Sequence, residues 1–251
     1  MREVCVRGCS IGTGMPKICV PIVARTMREI FSQARATNNK TFDIVEWRVD
    51  WFEEFTNPDT VRRAARVLRG ILGETPILFT FRTKKEGGEA DIDPAYYMEL
   101  NHIVASEHLV DLIDVELFAG DDVVRQIIAD AHAVDVPVVV SSHDFEKTPP
   151  HDELVARLRR AEELGGDILK TAVMPHNSRD VLDLLCATEE VSRTSERPVV
   201  TMSMGELGMI SRLSGEVFGS AMTFGTVGYA SAPGQIGIEP LREVLELLHH
   251  K

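Results

Sequence analysis

Lys170 sits inside an apolar run, Asp167-Ile168-Leu169-Lys170-Thr171-Ala172-Val173, that has the composition of a buried strand. A buried ammonium is costly unless a partner or a reaction requires it. A second apolar run, Val138-Val139-Val140-Ser141-Ser142-His143, ends in a histidine. A lysine beside an imidazole is the apparatus for forming an imine with a carbonyl and moving protons next to it. Taken alone, Lys170 is better read as a side chain that snorkels from a strand end to water. The polar residues elsewhere in the chain reverse that reading.

Other apolar runs carry polar residues at or near their ends as well. One ends Glu46-Trp47-Arg48-Val49-Asp50, and strand alternation puts Glu46, Arg48 and Asp50 on one side. The next ends at Arg82 and continues Thr83-Lys84-Lys85-Glu86-Gly87-Gly88. Another holds Asp114 and Glu116; a later one ends Met202-Ser203-Met204 and is followed by Ser211-Arg212. Ser231-Ala232-Pro233-Gly234-Gln235 follows the last. Each has a plain explanation: Glu46 and Arg48 as an ion pair, Met202 and Met204 as core filler, Arg212 as a helix-surface charge. Those explanations do not account for three arginines, a lysine, a histidine and several carboxylates together, since burying charges costs several kcal/mol each unless they pair or bind something. Basic groups suit a carboxylate ligand, and Glu46 suits its hydroxyls. The Pro-Gly loop with Ser231 and Gln235 can fold over it. The substrate expected is a small polyhydroxylated carboxylic acid with a ketone for Lys170.

The elements that must position these groups are legible from periodicity. Apolar runs span Lys17–Val23, Asp43–Val49, Pro76–Arg82, Asp111–Leu117, Pro137–Ser142, Asp167–Val173, Pro198–Ser203 and Ala221–Thr226, and their starts lie 23 to 35 residues apart. A strand, a crossover helix and two loops need about 30 residues. The runs are nearly continuous in Val, Ile and Leu, as strands buried on both faces are. Eight such units predict an α/β fold, a (β/α)8 TIM barrel, whose catalytic groups come from strand C-terminal ends. Helices are predicted from Pro58 to about Leu72 with Gly73 as the stop, from Asp121, from Asp152 to Glu163, and from Glu239 to His250. The first sixteen residues, with Gly8, Gly12, Gly14 and Pro16, predict an N-terminal hairpin closing the barrel bottom. A length of 251 residues fits one such domain spanning 1–251.

Composition bounds the function further. The net charge of -12 disfavours non-specific nucleic-acid binding, which needs basic surface. It leaves room for an anionic small molecule, because a few local arginines override the global sign. No apolar run approaches the ~18 residues of a membrane span, and the N-terminus has no signal-peptide core. The expectation is a cytoplasmic protein that binds neither nucleic acid nor membrane. Cys5, Cys9, Cys19 and Cys186 lack the spacing of a zinc site and are expected to be free thiols.

Nine segments together resemble the type I 3-dehydroquinate dehydratase family, the imine-forming dehydratases of the shikimate pathway. They are Phe42 to Asp50, Phe79 to Gly88, Ser142-His143-Asp144-Phe145 with Lys147-Thr148-Pro149, Lys170 to Pro175, Thr201 to Met204, Gly208 with Ser211-Arg212, Gly219-Ser220, Thr223-Phe224 and Ser231 to Gln235. The resemblance implies Lys170 as the Schiff-base lysine, His143 as general acid/base and Glu86 as its orienting partner. It implies Arg212, Ser231 and Gln235 on the substrate carboxylate, Glu46, Arg48 and Arg82 on ring hydroxyls, and Met202 and Phe224 against the ring. It also implies a homodimer acting on 3-dehydroquinate with no metal and no organic cofactor. Strand one departs from the family: Pro21 stands where enteric members have a small polar residue, which touches a ligand contact and not the chemistry.

Three other readings share parts of this pattern. Glu46, Asp114, Glu116 and His143 suit a divalent metal in a barrel isomerase. A Schiff-base aldolase needs the same lysine but breaks a carbon–carbon bond. A non-catalytic metabolite sensor needs neither Lys170 nor His143.

Overall fold

The structure is a computed structural model that describes residues 3–37, 41–228 and 232–249. Each of the eight apolar runs forms a strand, and the runs appear in chain order with helices between them. The chain opens with β1 (Val4–Val6) and β2 (Cys9–Ile11), followed by β3 (Lys17–Ile22) and α1 (Met27–Thr37). Next come β4 (Ile44–Arg48), α2 (Pro58–Leu72), β5 (Ile77–Thr80), α3 (Pro94–Ser106), β6 (Leu112–Glu116) and α4 (Asp121–His132). Then follow β7 (Val138–Asp144), α5 (His151–Glu163), β8 (Ile168–Val173), α6 (Ser178–Thr194) and β9 (Val199–Ser203). Two short helices, α7 (Met209–Leu213) and α8 (Gly215–Phe218), precede β10 (Met222–Thr226), β11 (Ile236–Gly237) and α9 (Ile238–Leu248).

The strands from β3 to β9 pair in parallel in sequence order, with β10 beside β3 and β11 on the far side of β10. The sheet curls until its ends meet. Ala221 N donates to Val199 O at 2.7 Å, and Ser220 Oγ accepts from Thr201 N at 3.0 Å. The seam is therefore held partly by a side chain where a short strand leaves the ladder incomplete. The expected TIM barrel is the observed architecture.

Alternation sorts each strand between two cores. Val45, Trp47, Phe79, Ile113, Val115, Val140 and Leu169 face outward and pack under the helices. Cys19, Ile44, Leu78, Leu112, Val139, Ile168, Val200 and Met222 face inward and fill the lower half of the barrel. One step further along each strand, the inward positions turn polar: Glu46, Thr80, Asp114, Ser141 and Lys170, all buried. Because side chains alternate with a period of two, a one-residue slip would put every one of these polar groups under a helix.

Local signals set the helix ends. Asn57 accepts from Asp59 N at 3.0 Å ahead of Pro58, and Gly73 closes α2 at φ 57°. An N-cap side chain and a terminal glycine at positive φ are punctuation that such residue types favour. At the N-terminus, Arg7 (φ 45°) and Gly8 (φ 76°) form a two-residue turn between β1 and β2. Positive φ at both positions is what a tight hairpin needs to match strand twist. Val6 and Ile11 cap the inward core from below, and Arg7 reaches Glu74 and Asp111 beside it. The hairpin thus closes the bottom of the barrel, as its sequence predicted.

Ile11 is fully buried there. Ile11→Ala is expected to lower the unfolding free energy by about 2–4 kcal/mol, the cost of a core cavity. Urea titration measures that loss, and KM should stay at the wild-type value because the cavity lies at the opposite end from Lys170.

Candidate active site

The site is built by the upper ends of the strands. Lys170 projects inward from the middle of β8, between Ser141 of β7 and Val200 of β9. Its Nζ lies 3.2 Å from Asp114 Oδ2 and 3.4 Å from Glu46 Oε1. The same nitrogen stands 4.7 Å from the centroid of the Phe224 ring. Two carboxylates and an aromatic face therefore surround one cation, which explains how it tolerates burial.

His143 follows Ser141 by two residues on β7 and faces the same interior. Its Nδ1 is 2.9 Å from Glu86 Oε2. Glu86 is delivered by a single turn, residues Lys84–Glu86, just past β5. Two glycines let that turn pack tightly. Gly87 adopts φ 81°, and a Cβ there would sit 2.3 Å from the Phe145 ring. A Cβ on Gly88 would sit 1.9 Å from Arg82 O. The loop thus reaches Glu86 to His143 only because neither glycine carries a side chain.

Arg82 stands at the centre of the polar layer. Its Nη2 donates to Asp114 Oδ1 at 2.7 Å; its Nη1 reaches Ser141 Oγ at 3.0 Å, Glu116 Oε1 at 3.1 Å and Glu86 Oε2 at 3.5 Å. Burial favours the neutral guanidine, but the surrounding carboxylates, Asp114 first, outweigh it and hold Arg82 well above the ordinary arginine range. Glu116 is occupied from its other side by Thr83 N and Oγ1, each at 2.7 Å. The plain alternative, a Glu46–Arg48 ion pair, does not form. Arg48 makes a two-point contact with Asp50, Nε to Oδ1 at 2.9 Å and Nη2 to Oδ2 at 2.8 Å. Glu46 instead accepts from Thr80 Oγ1 at 3.0 Å and faces Lys170. The carboxylates considered for a metal each engage a cation or hydroxyl rather than one another. Among the described residues no three such ligands converge on one point.

Arg212 differs from the other cations. It lies on α7 with 1% of its surface exposed, so the plain alternative of a helix-surface charge does not hold. Nη2 donates to Pro233 O at 3.1 Å and Nη1 approaches Met202 Sδ at 3.7 Å. Nε has no hydrogen-bond partner among the described residues, and no carboxylate there pairs with it. Burial alone pulls its pKa down to about 10, which leaves it charged at neutral pH. Gly208 makes this placement possible, since a Cβ there would stand 2.3 Å from Ser203 O, and Ser203 N donates to Ser211 Oγ at 2.8 Å.

One cavity is lined by Glu46, Arg48, Arg82, Glu86, His143, Lys170, Met202, Arg212, Phe224 and Gln235. These are the candidate residues with the exception of Ser231, which lies outside the described residues. Phe145, Ala172, Met204 and Ala232 line it too. The first three follow His143, Lys170 and Met202 by two residues, so strand alternation carried past the end of each run would have found them. Pro21 is buried opposite Glu46 in the β3–β4 ladder.

Burial draws both members of the Glu86–His143 pair toward their uncharged forms. Burial, helped by Glu116 and Asp114 and opposed by Arg82, raises the Glu86 carboxyl to about 8. Burial together with Arg82, Lys170 and Arg48 pushes the His143 imidazole well below its ordinary range. If Glu86 carries the proton, its hydroxyl is placed to donate to Nδ1, and the hydrogen of the neutral ring then stands on Nε2. Both shifts are also stability statements. The raised Glu86 value contributes stability that is present below about 4.5 and is lost as pH rises through about 8. The lowered His143 value acts in the other direction and only below about 6.5. Between roughly pH 6.5 and 8 the Glu86 contribution therefore stands alone and falls by at most about 1.4 kcal/mol per pH unit. Glu86→Gln should flatten the decline of stability over that window. Urea titrations at its two ends, on wild type and variant, check this.

Comparison with known proteins agrees with the geometry. The family model described as type I 3-dehydroquinase matches residues 18–251. A curated 3-dehydroquinate dehydratase of Escherichia coli is 51% identical over 250 residues, covering 99% of this chain and 99% of that protein. A type I 3-dehydroquinate dehydratase of Clostridium difficile, solved with covalently modified comenic acid, superposes with a TM-score of 0.96 at 49% identity, over 99% of this chain and 98% of that one. The Geobacillus kaustophilus 3-dehydroquinate dehydratase gives a TM-score of 0.96 at 41% identity, over 98% of this chain and 96% of that one. With the barrel, the cavity and the full length in agreement, this chain belongs to the type I 3-dehydroquinase family.

Proposed function

We propose that the chain dehydrates 3-dehydroquinate to 3-dehydroshikimate in the shikimate pathway, through an imine on Lys170 with His143 as acid and base. The observation that carries this reading is one cavity holding Lys170, the Glu86–His143 pair and an Arg212 with no carboxylate partner among the described residues. The substrate has a ketone for the first, an acidic C–H for the second and a carboxylate for the third. The Clostridium difficile relative is solved with covalently modified comenic acid, which supports a covalent reading of the chemistry. Resemblance to the family extends the reading to a cytoplasmic homodimer with one domain over residues 1–251 and no cofactor.

The steps follow from the proton positions. The Lys170 ammonium must first lose a proton, with Glu46 the nearer acceptor that is not already bound to an arginine. Nζ then adds to the C3 carbonyl. The carbinolamine hydroxyl takes the proton of His143 Nε2 and leaves as water while Glu86 passes its proton to Nδ1, so the product is a protonated imine and the neutral ring is left with Nε2 free as a base. That base takes the C2 proton, and the electron pair forms an enamine. The enamine expels the C1 hydroxyl, which accepts the same proton and departs as a second water. Hydrolysis of the conjugated imine, with His143 taking a proton from the attacking water at Nε2 and returning its Nδ1 proton to Glu86, restores the starting state and frees Lys170. Proton transfers of this kind are worth about 10²–10⁴ in rate. Glu86 holds the ring throughout. Arg212, with Ser231 and Gln235, binds the carboxylate, Glu46, Arg48 and Arg82 face the ring hydroxyls, and Met202 and Phe224 pack against the ring.

Borohydride reduction with 3-dehydroquinate should add a substrate-sized mass that maps to Lys170 in intact-protein and peptide mass spectrometry. Lys170→Ala should lose both the adduct and turnover while still binding the ligand. Product formed with no adduct in the wild type would refute the imine. Arg212→Gln is expected to raise KM by about 10- to 100-fold, the loss of a charge-assisted contact, with a smaller change in kcat. Steady-state kinetics test this; an unchanged KM would put the substrate carboxylate elsewhere.

A further inference from the structure

We propose that Asp114 is a positioning residue of this site: its Oδ2 is the fixed counter-anion of the nitrogen at Lys170 Nζ, first as ammonium and then as protonated imine, and it sets where that nitrogen stands. The inference rests on the imine reading above.

Geometry separates Asp114 from the other carboxylates. Its side chain is fully buried on β6. Oδ1 is occupied by Arg82 Nη2 and Ser141 Oγ, both at 2.7 Å. That leaves Oδ2 turned to Lys170 Nζ at 3.2 Å. The two strong contacts on one oxygen fix the plane of the carboxylate and so fix the aim of the other oxygen. The remaining groups around Nζ are Glu46 from β4, Arg82 beyond β5, His143 on β7 and the Phe224 ring on β10. Of these, Glu46 is the only other anion at the lysine. It lies slightly farther away and is anchored by a single hydroxyl, that of Thr80.

The charge on Asp114 is secured as well. Burial by itself would raise its pKa, but Arg82, Lys170 and Ser141 outweigh burial and hold it below the ordinary carboxylate value. A carboxylate held that low does not take the proton that Lys170 must release. It answers a different need. The imine nitrogen must keep its proton, because only the protonated imine draws electrons strongly enough to acidify C2. An anion fixed beside that nitrogen favours the protonated form.

Asp114→Asn tests this, since the amide keeps the shape and an acceptor for Arg82 and Ser141 but removes the charge. We expect kcat to fall about 100-fold or more, the order expected when one partner of a buried ion pair is lost. KM should stay within about threefold, and the fraction of enzyme trapped by borohydride should fall because hydride adds to the protonated imine. A variant that keeps kcat and trapping near wild-type values overturns the proposal, as does one whose loss lies wholly in KM or in the thermal unfolding midpoint. A measurement on the wild type keeps the question open to refutation should the variant not fold. With lysine labelled at Nζ with nitrogen-15, the imine that accumulates with substrate should carry a nitrogen-bound proton across about pH 6–9. A neutral imine at pH 7 overturns the proposal. No adduct on the wild type would remove the imine reading and this inference with it. An adduct on the wild type that is undiminished in Asp114→Asn removes this inference alone.

Discussion

The contact between Arg82 and Asp114 is the interaction on which the rest of the site depends. The upper half of a barrel interior is a place where several ionised groups must stand within a few ångströms of one another with little water. Arg82 makes this possible. Its guanidinium touches Asp114, Glu116, Glu86 and Ser141 at once. Without that one cation, Asp114 would lose the largest of the contacts that favour its ionised form, and the Glu86 carboxyl would be driven still further from ionisation. The planar, five-donor fork of arginine suits such a hub, where a lysine would offer one point charge. Arg82 therefore reaches the cavity with its terminal nitrogens already engaged. Any role toward a ligand comes on top of its role toward the protein.

The barrel divides its labour along its axis. The lower interior is apolar and sealed by the hairpin through Val6 and Ile11, and it holds the strands in register. The upper interior spends that stability on buried charge. Most of those charges are balanced internally, Arg48 by Asp50 and Lys170 by Asp114 and Glu46. Arg212 is the exception, with its charge set in place and no carboxylate against it among the described residues. With the other described cations of the upper interior paired and Arg212 left without a carboxylate, a globally acidic chain of net charge -12 still presents one cavity cation that would suit an anion.

Close backbone approach positions the loop-borne groups. Glu86 and Arg212 do not sit on strands, yet each is placed as firmly as Lys170. In each case a glycine allows a loop to lie against carbonyls or a ring at distances no side chain would permit: Gly87 and Gly88 for Glu86, Gly208 for Arg212. The Pro233 carbonyl accepts from both Gly205 N and Arg212 Nη2, so the loop after β10 is tied to Arg212 itself.

Much of this protein is determined by its sequence alone. Eight apolar runs at regular spacing dictate a parallel barrel, because strands buried on both faces and joined by helices have few other ways to close. Period-two alternation then dictates that Glu46, Asp114 and Lys170 share the interior, and it extends to Phe145, Ala172 and Met204 beyond the run ends. What alternation cannot specify is which charge meets which. Glu46 and Arg48 are near neighbours in sequence and do not pair; Arg48 turns to Asp50 while Glu46 crosses the barrel to Lys170, 124 positions away. The burial of Arg212 is likewise not dictated by pattern, which allowed a helix-surface charge there; the resemblance put Arg212 in the site. Those choices depend on distances across a closed sheet, and electrostatic energy depends on such distances far more steeply than on anything local to the chain. Tertiary structure decided them for that reason.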